Sequence, residues 1–522
     1  MRRWNGWGEE GVGYSLSRYA KRFLIKKIGE GVKSKEINKI SLLNELDKPK
    51  IKDFPFSTSD RFERLMHSFG QSFPDWLKFK MGLRFKAPDL VCYPESEDDL
   101  KSIIDKAKEK NVNLIPYGGG TSVVGHLEII DNEKPTVSVD MAKISGVINI
   151  DENSQIATIK AGTKGPDLER ALNSKGYTLG HFPQSFEFST LGGWVATRSS
   201  GQFSLGYGKI EDMFLGGTLY SPIGVINIDP YNKSAEGIDL RQIILGSEGR
   251  AGILSKCHMN ISKLPEVLAV YGAFFPDDES GVEAVRTLSQ SGIPLTMVRL
   301  SLSKETEGIL NLASNRFFVG MFDSVVKLKG YSKNKCLMIC AIDGSIRQVR
   351  FYKSLIKSII KKYRGLSIGA FVGKQWLKDR FKIPYLRNAL WDMGYGVDTL
   401  ETYTTWGNVK NLVEKIEKSL NGSFAFSHLS HIYPNGSSIY TTYIFPLGRD
   451  EYETFEKWSF FKRRASETIV KHGGVTSHHH GIGMDHKAYL RQLRGSFALE
   501  IMKSSFDFLD PDGIMNPKKL VD

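Results

Sequence analysis

The chain has 522 residues, 41% of them hydrophobic and 11% aromatic, which is enough to bury the cores of two or three domains. Its formal net charge of +13 asks for an anionic partner. No apolar stretch approaches the roughly 20 residues of a membrane span, and the lack of zinc-finger spacing, a helix-turn-helix pattern or an RNA-binding aromatic motif argues against nucleic acid. The opening MRRWNGWGEEG has no apolar core of a secretory signal and the ending KKLVD is not a targeting tail, so the expectation is a cytoplasmic protein. Cys92, Cys257, Cys336 and Cys340 are too few and too scattered for a disulfide framework and are expected to be buried and reduced.

In chain order, residues 1–86 read as a mostly helical N-terminal region. Within it SRYAKRFLIKKIGEGVKSK (17–35) sets Leu16, Tyr19, Ala20, Phe23 and Leu24 on one helical face and Arg18, Lys21, Arg22 and Lys26 mainly elsewhere. That basic amphipathic helix suits either peripheral docking on an anionic membrane surface or packing on its own protein with a solvated basic side. Residues 87–265 then alternate a strand (DLVCYP), a helix opening on Ser96, a strand (VNLIPY) and further short strands, the pattern of an α+β nucleotide-binding domain. Residues 266–450 repeat strand and helix as a second α+β domain, and 451–522 form a C-terminal helical segment that carries a histidine-rich loop.

PYGGGTSVVG follows a strand, so its glycines turn the chain and bare backbone N–H groups that can bind phosphate oxygens, with Thr121 and Ser122 adding hydroxyls. It is neither a P-loop nor a Rossmann fingerprint. QSFEFSTLGGWVATRSSG and GSEGRAGIL are likewise dense in donors, and three such loops can enclose a dinucleotide. Seven of the eleven histidines lie between His428 and His486, three of them consecutive in SHHHGIG. Imidazole titrates near neutrality, which suits His478, His479 and His480 to acid/base work. The rival use is metal binding: in an extended segment His478 and His480 share a face and could join His428 or His431 while His479 points away.

The order PYGGGTS, FSTLGGWVATRSSG, GSEGRAGIL and DPDGIMNPKKL resembles the FAD-linked oxidases of the vanillyl-alcohol-oxidase type. Within them, RRWNGWG, GHFPQSFEFSTLGGWVATR and SHHHGIG are most similar to the alkyldihydroxyacetonephosphate synthase (alkylglycerone-phosphate synthase) family. The resemblance implies an α+β fold with a two-part PCMH-type FAD-binding domain and an α+β cap domain, and FAD held noncovalently. It assigns FAD contacts to Pro116, Tyr117, Gly118, Gly119, Gly120, Thr121 and Ser122 in the first loop. In the second it assigns Gln184, Ser185, Phe186, Glu187, Phe188, Ser189 and Thr190, followed by Thr197, Arg198, Ser199 and Ser200. In the third it assigns Glu248, Gly249, Arg250, Ala251, Gly252, Ile253 and Leu254.

The family reaction exchanges the acyl chain of an acyl-dihydroxyacetone phosphate for a fatty alcohol, with flavin as a covalent trap and no net redox change. The resemblance places Tyr440 beside His478, His479 and His480 as proton acceptor or donor, Arg387 at the substrate phosphate, and Arg299 at an arginine important for activity. A tyrosine serves as a base at neutral pH only if its neighbours lower its pKa, and the histidines are the expected agents. The chain departs from the family at His428, where an arginine is usual, at Arg250 and Ala251, and at Asp485 and His486. Related 2-hydroxy-acid dehydrogenases carry an acidic residue where this chain has His479. The functional expectations are therefore an ether-lipid synthase acting on a lipid-like phosphorylated substrate, an FAD oxidoreductase of a 2-hydroxy acid or alcohol, or a flavin-binding protein without turnover. No resident metal is expected, and a homodimer is the expected assembly.

Overall fold

The computed structural model describes residues 1–130, 133–231, 233–312, 331 and 334–522. The first sheet has four strands, β1 (Ser57–Thr58), β2 (Leu90–Cys92), β3 (Asn113–Tyr117) and β4 (Thr136–Asp140), in the order β1-β2-β4-β3, with β2, β4 and β3 parallel. Between β2 and β3 runs the helix Glu97–Lys110, started by a capping box in which Ser96 and Asp99 satisfy each other's backbone N–H groups and ended by Asn111 in the left-handed region. Its Leu100, Ile103, Ile104 and Ala107 are buried in the core of this sheet. The chain therefore leaves β3 directly into the glycine loop.

A second layer is built from β5 (Val147–Asp151), β6 (Ile156–Lys160), β7 (Tyr177–Thr178), β8 (Phe214–Ser221), β9 (Gly224–Ile228), β10 (Ile253–Asn260) and β11 (Ser262–Lys263). Five of them form an antiparallel sheet in the order β5-β6-β10-β8-β9, and β7 pairs with β11.

The seven strands of the third sheet are β12 (Val267–Phe275), β13 (Leu295–Ser301), β14 (Cys336–Gly344), β15 (Leu366–Gly369), β16 (Tyr395–Thr405), β17 (Phe424–Tyr433) and β18 (Gly436–Pro446), ordered β15-β12-β14-β13-β17-β18-β16 and antiparallel throughout. Strand alternation divides its residues between two faces. Val298, Leu300, Met338, Leu400, Leu429 and Ile439 pack against the helices Asp278–Gln290, Ile346–Lys362, Val409–Ser419 and Glu451–Lys471. Met297, Arg299, Leu337, Ile339, His428 and Tyr440 point the other way and line a cavity of about 1010 Å³ shared with the first two sheets.

The N-terminal region corrects the expectation of mostly helical chain. Its helices are short, Ala20–Ile28, Lys39–Glu45, Arg61–Met66 and Phe73–Met81, because glycines and the prolines of DKPKIKDFPF interrupt the pattern. Phe73, Trp76 and Phe79 sit in the core of the seven-stranded sheet beside Trp391, Phe445 and Trp458. Ala20 and Leu24 are covered by Leu312, Leu390 and Phe424, so the apolar face of the first helix packs on its own protein and only its charge looks outward. The C-terminal segment returns to the first sheet: Met515 bridges Leu114 in parallel, and Ile514 is fully buried there. All four cysteines are free and buried, and burial raises the Cys92 and Cys340 thiols to about 12. Among the described residues no helix is long and apolar enough to cross a membrane.

Candidate active site

Register across the third sheet decides which polar side chains meet. Glu401 of β16 and His428 of β17 both lie opposite Tyr440 of β18, which puts the three in one row. The rings of His428 and Tyr440 stack with centroids 4.9 Å apart. One strand further, Arg299 donates from Nη1 toward His428 Nε2 at 3.0 Å and from Nη2 to Glu305 Oε1 at 2.7 Å, while His428 Nδ1 lies 3.1 Å from the same carboxylate oxygen. Arg299 Nη2 also lies 3.0 Å from His428 Nδ1, so the imidazole sits against both the guanidinium and the carboxylate. Burial and Arg299 lower the His428 pKa. Burial opposes the Glu305 charge, but His428 and Arg299 outweigh it and hold the carboxyl at about 2.

The histidine loop is held by two carboxylates, Glu401 on β16 and Glu248 in the turn before β10. Glu401 accepts the backbone N–H groups of His478, His479 and His480 at 2.7 to 2.9 Å and the Ser477 hydroxyl at 2.8 Å. Glu248 accepts those of Ile482 and Gly483 at 2.6 and 3.0 Å. Burial works against the charge of Glu401, yet His479, 3.3 Å away, and the neighbouring imidazoles keep its carboxyl well below the usual range. Burial, then the neighbouring His479, pushes His480 down to about 3 and His478 well below 6.5.

These values correct the expected tuning of Tyr440. Burial raises its phenol to about 12, and Glu401 and Asp398 add to the rise, so Tyr440 keeps its proton near neutral pH. The rings of His479 and His480 do lie beside it, with centroids at 6.2 and 5.6 Å.

The ring geometry anticipated for a metal is also different. His478 Nδ1 and His479 Nδ1 approach to 3.1 Å, so the paired rings are the adjacent ones and not His478 with His480. Among the described residues the group able to converge on one ion is Glu401, His478 and His479, with ligand atoms within 4.8 Å. The Glu401 oxygens already accept the loop's own N–H groups. His431, the other expected ligand, sits at a β-bulge with φ +47°, which re-aims its ring so that Nδ1 lies 3.1 and 2.9 Å from the hydroxyls of Ser200 and Ser204.

Arg387 enters the same cavity from the helix Leu386–Trp391. Its guanidinium lies 4.3 Å from the Trp76 ring centroid, and Nη1 donates to the Gln71 carbonyl. Nε and Nη2 are buried without a hydrogen-bond partner. Burial lowers its pKa to about 10, which leaves it a cation near neutrality with two unsatisfied donors. Such donors are costly unless a ligand supplies an acceptor.

The sequence pattern of the FAD binding domain family matches residues 88–228, and that of the C-terminal domain of FAD linked oxidases matches residues 264–520. An alkyldihydroxyacetonephosphate synthase of Dictyostelium discoideum is 33% identical over 477 residues, covering 88% of this chain and 78% of that protein. One from Trypanosoma brucei brucei is 29% identical and covers 99% and 92%. A solved structure of an alkyldihydroxyacetonephosphate synthase superposes with a TM-score of 0.85 at 29% identity over 99% of both chains. The chain belongs to the alkyldihydroxyacetonephosphate synthase family. It is an FAD enzyme.

The residues present fit that cofactor of the family. Gly120 has φ +58°, a left-handed turn that glycine takes without strain, and the loop around it lines the cavity. A Cβ on Gly119 would run into the Phe188 carbonyl, so this glycine lets the first loop pack on the second. Of the expected FAD contacts, residues 116–122, Gln184, Ser185, Ser189, Thr190, Thr197, Ser199, Ser200, Glu248, Gly249 and residues 252–254 line the cavity. The others do not. Phe186 stacks on Phe381, Phe188 meets Trp7 edge-on, Glu187 is exposed and Ala251 is core. Arg198 binds Glu211 and Gln242, and Arg250 donates to the Met515 carbonyl. His126 is held by Ser122 Oγ at 2.8 Å and lies 3.0 Å from Glu248. Glu401 was missed by sequence reading because a lone glutamate in ETYTTW carries no local signal.

Proposed function

We propose that the protein is an FAD-dependent alkylglycerone-phosphate synthase that exchanges the acyl chain of acyl-dihydroxyacetone phosphate for a fatty alcohol. The observation that carries the reading is Arg387, which lines the cavity that also holds Tyr440 and the histidine loop and keeps two buried guanidinium nitrogens without a partner. A phosphate oxygen pair matches a guanidinium fork, and a permanent cation on an aromatic shelf suits a dianion.

When bound, FAD supplies the electrophile that receives the headgroup carbon. In this reading His479, which lines the cavity and is backed by the Glu401 carboxylate at 3.3 Å, takes the proton from the carbon beside the carbonyl. Tyr440, held protonated, donates to the carbonyl oxygen, and Arg299 with its His428 partner polarises the same group. His478 positions the loop through Nε2 to the Tyr433 hydroxyl at 2.8 Å, and His480 lines the cavity as a neutral ring. A lipid-like substrate makes peripheral contact with an anionic membrane surface part of the reading, and to it residues 17–35 add only the charge of Lys21, Arg22 and Lys26, since the apolar face of their helix is packed on the protein. The assembly proposed is a homodimer, checked by light scattering.

The test is anaerobic incubation of purified protein with an acyl-dihydroxyacetone phosphate and a radiolabelled fatty alcohol. Label should enter an ether product with no dye reduced. Dye reduction by a 2-hydroxy acid, with no ether formed, would replace this reading with a dehydrogenase.

A further inference from the structure

The helix Ile346–Lys362, on the outer face of the seven-stranded sheet, carries Arg347, Arg350, Lys353, Lys357, Lys361 and Lys362 and not one acidic residue. Val349, Ile356 and Ile360 bury its inner stripe. The outward stripe, half a turn away, holds Arg347, Phe351, Ser354, Leu355, Ser358 and Lys361. Phe351 is 61% and Leu355 39% exposed in the middle of it. Among the described residues none of the six basic side chains has an acidic partner, and Lys353 rests on the Tyr271 ring. The charge of this surface is therefore uncompensated.

We propose that this helix face is a docking surface for an anionic lipid bilayer. A row of cations about 25 Å long complements a layer of lipid phosphates. An apolar ridge between those cations fits an interface that is charged at the level of the headgroups and apolar just beneath. A nucleic-acid backbone supplies the charge without the apolar layer and would leave Phe351 and Leu355 against water or phosphate. The first helix, Ala20–Ile28, has the same kind of composition but differs in both respects, since its apolar face is already packed and Lys27 is paired with Glu307. The contact is independent of turnover and of the assignment of any active-site residue.

Sedimentation of the full-length flavin-loaded protein with vesicles tests it, using phosphatidylcholine alone and equal parts phosphatidylcholine and phosphatidylglycerol. Binding is expected to the mixed vesicles only and to weaken with salt. Arg347→Gln/Lys357→Gln/Lys361→Gln should lower the partition coefficient about 100-fold, about fivefold for each basic residue removed. Phe351→Ser should lower it roughly tenfold. All four positions are exposed, so flavin content and melting temperature serve as the check that the variants fold. Lys21→Gln/Arg22→Gln/Lys26→Gln should leave most of the binding in place. Loss of binding in that variant and not in the first, or no binding by the wild type, would overturn the proposal. So would binding of duplex DNA that is lost in the triple variant and indifferent to Phe351→Ser.

Discussion

Replacing Glu401 by glutamine keeps the shape of the side chain and removes the charge on which the histidine loop is hung. The carboxylate accepts from His478, His479 and His480 N–H and from Ser477 Oγ. Each such bond to a charged acceptor is worth about 1.5–3 kcal/mol, against about 1 kcal/mol for a neutral one. Glutamine weakens the bonds that remain on Oε1 and turns an NH2 group toward the His478 N–H that Oε2 accepted at 2.7 Å. The expected loss is about 3–5 kcal/mol, the scale of removing one partner from a buried charged cluster. It falls mainly on the loop, because Glu248 still holds Ile482 and Gly483. Turnover in the label-incorporation assay should drop on the order of 10²- to 10³-fold while FAD content and the flavin spectrum stay as in the wild type, since Glu401 touches none of the glycine loops. The acid arm supplies a second readout. A carboxyl whose folded pKa lies below its unfolded value of 4.5 contributes stability that is fully present above that value and is lost as pH falls through the folded pKa. Glu401→Gln should therefore flatten melting temperature against pH below about pH 4.5. Wild-type turnover in this variant would refute the argument that the carboxylate positions the histidines.

Arg387→Lys keeps the charge and loses the fork, so use of phosphorylated substrate should weaken by roughly 1.5–3 kcal/mol with flavin content unchanged, and Arg387→Ala should weaken it further. Equal use of phosphorylated and unphosphorylated ketones by the wild type would remove the phosphate role. Gly119→Val should be isolated without its yellow colour, because the new side chain meets the Phe188 carbonyl and parts two FAD loops. FAD retained at full occupancy would count against this packing. Tyr440→Phe should fold, keep FAD and lose on the order of 10²- to 10⁴-fold in turnover. His181, His480 and His486 are depressed by burial to about 3, so the unfolded chain takes up protons that the folded one refuses. Stability should fall by up to about 1.4 kcal/mol per pH unit for each of them as pH drops from about 6.5 toward 3, and His486→Asn should have the shallower thermal profile.

The sequence by itself determined the local chemistry. The capping residue of Glu97–Lys110, the glycine loop after β3, the alternation of strand and helix and the cluster of late histidines were all readable because short-range patterns encode them. The family followed from the same motifs. Tertiary structure decided what those groups meet. The pairing register of β16, β17 and β18 set Glu401 beside Tyr440 and His428, although 27 residues separate His428 from Glu401 and no spacing rule joins them. A bulge at His431 turned one expected metal ligand toward Ser200 and Ser204. Burial, which depends on every neighbour at once, kept the proton on Tyr440 and took it from His480, the reverse of what proximity to histidines suggested for the tyrosine. Desolvation is a property of the folded volume and not of the string, so the roles of acid and base waited on the fold.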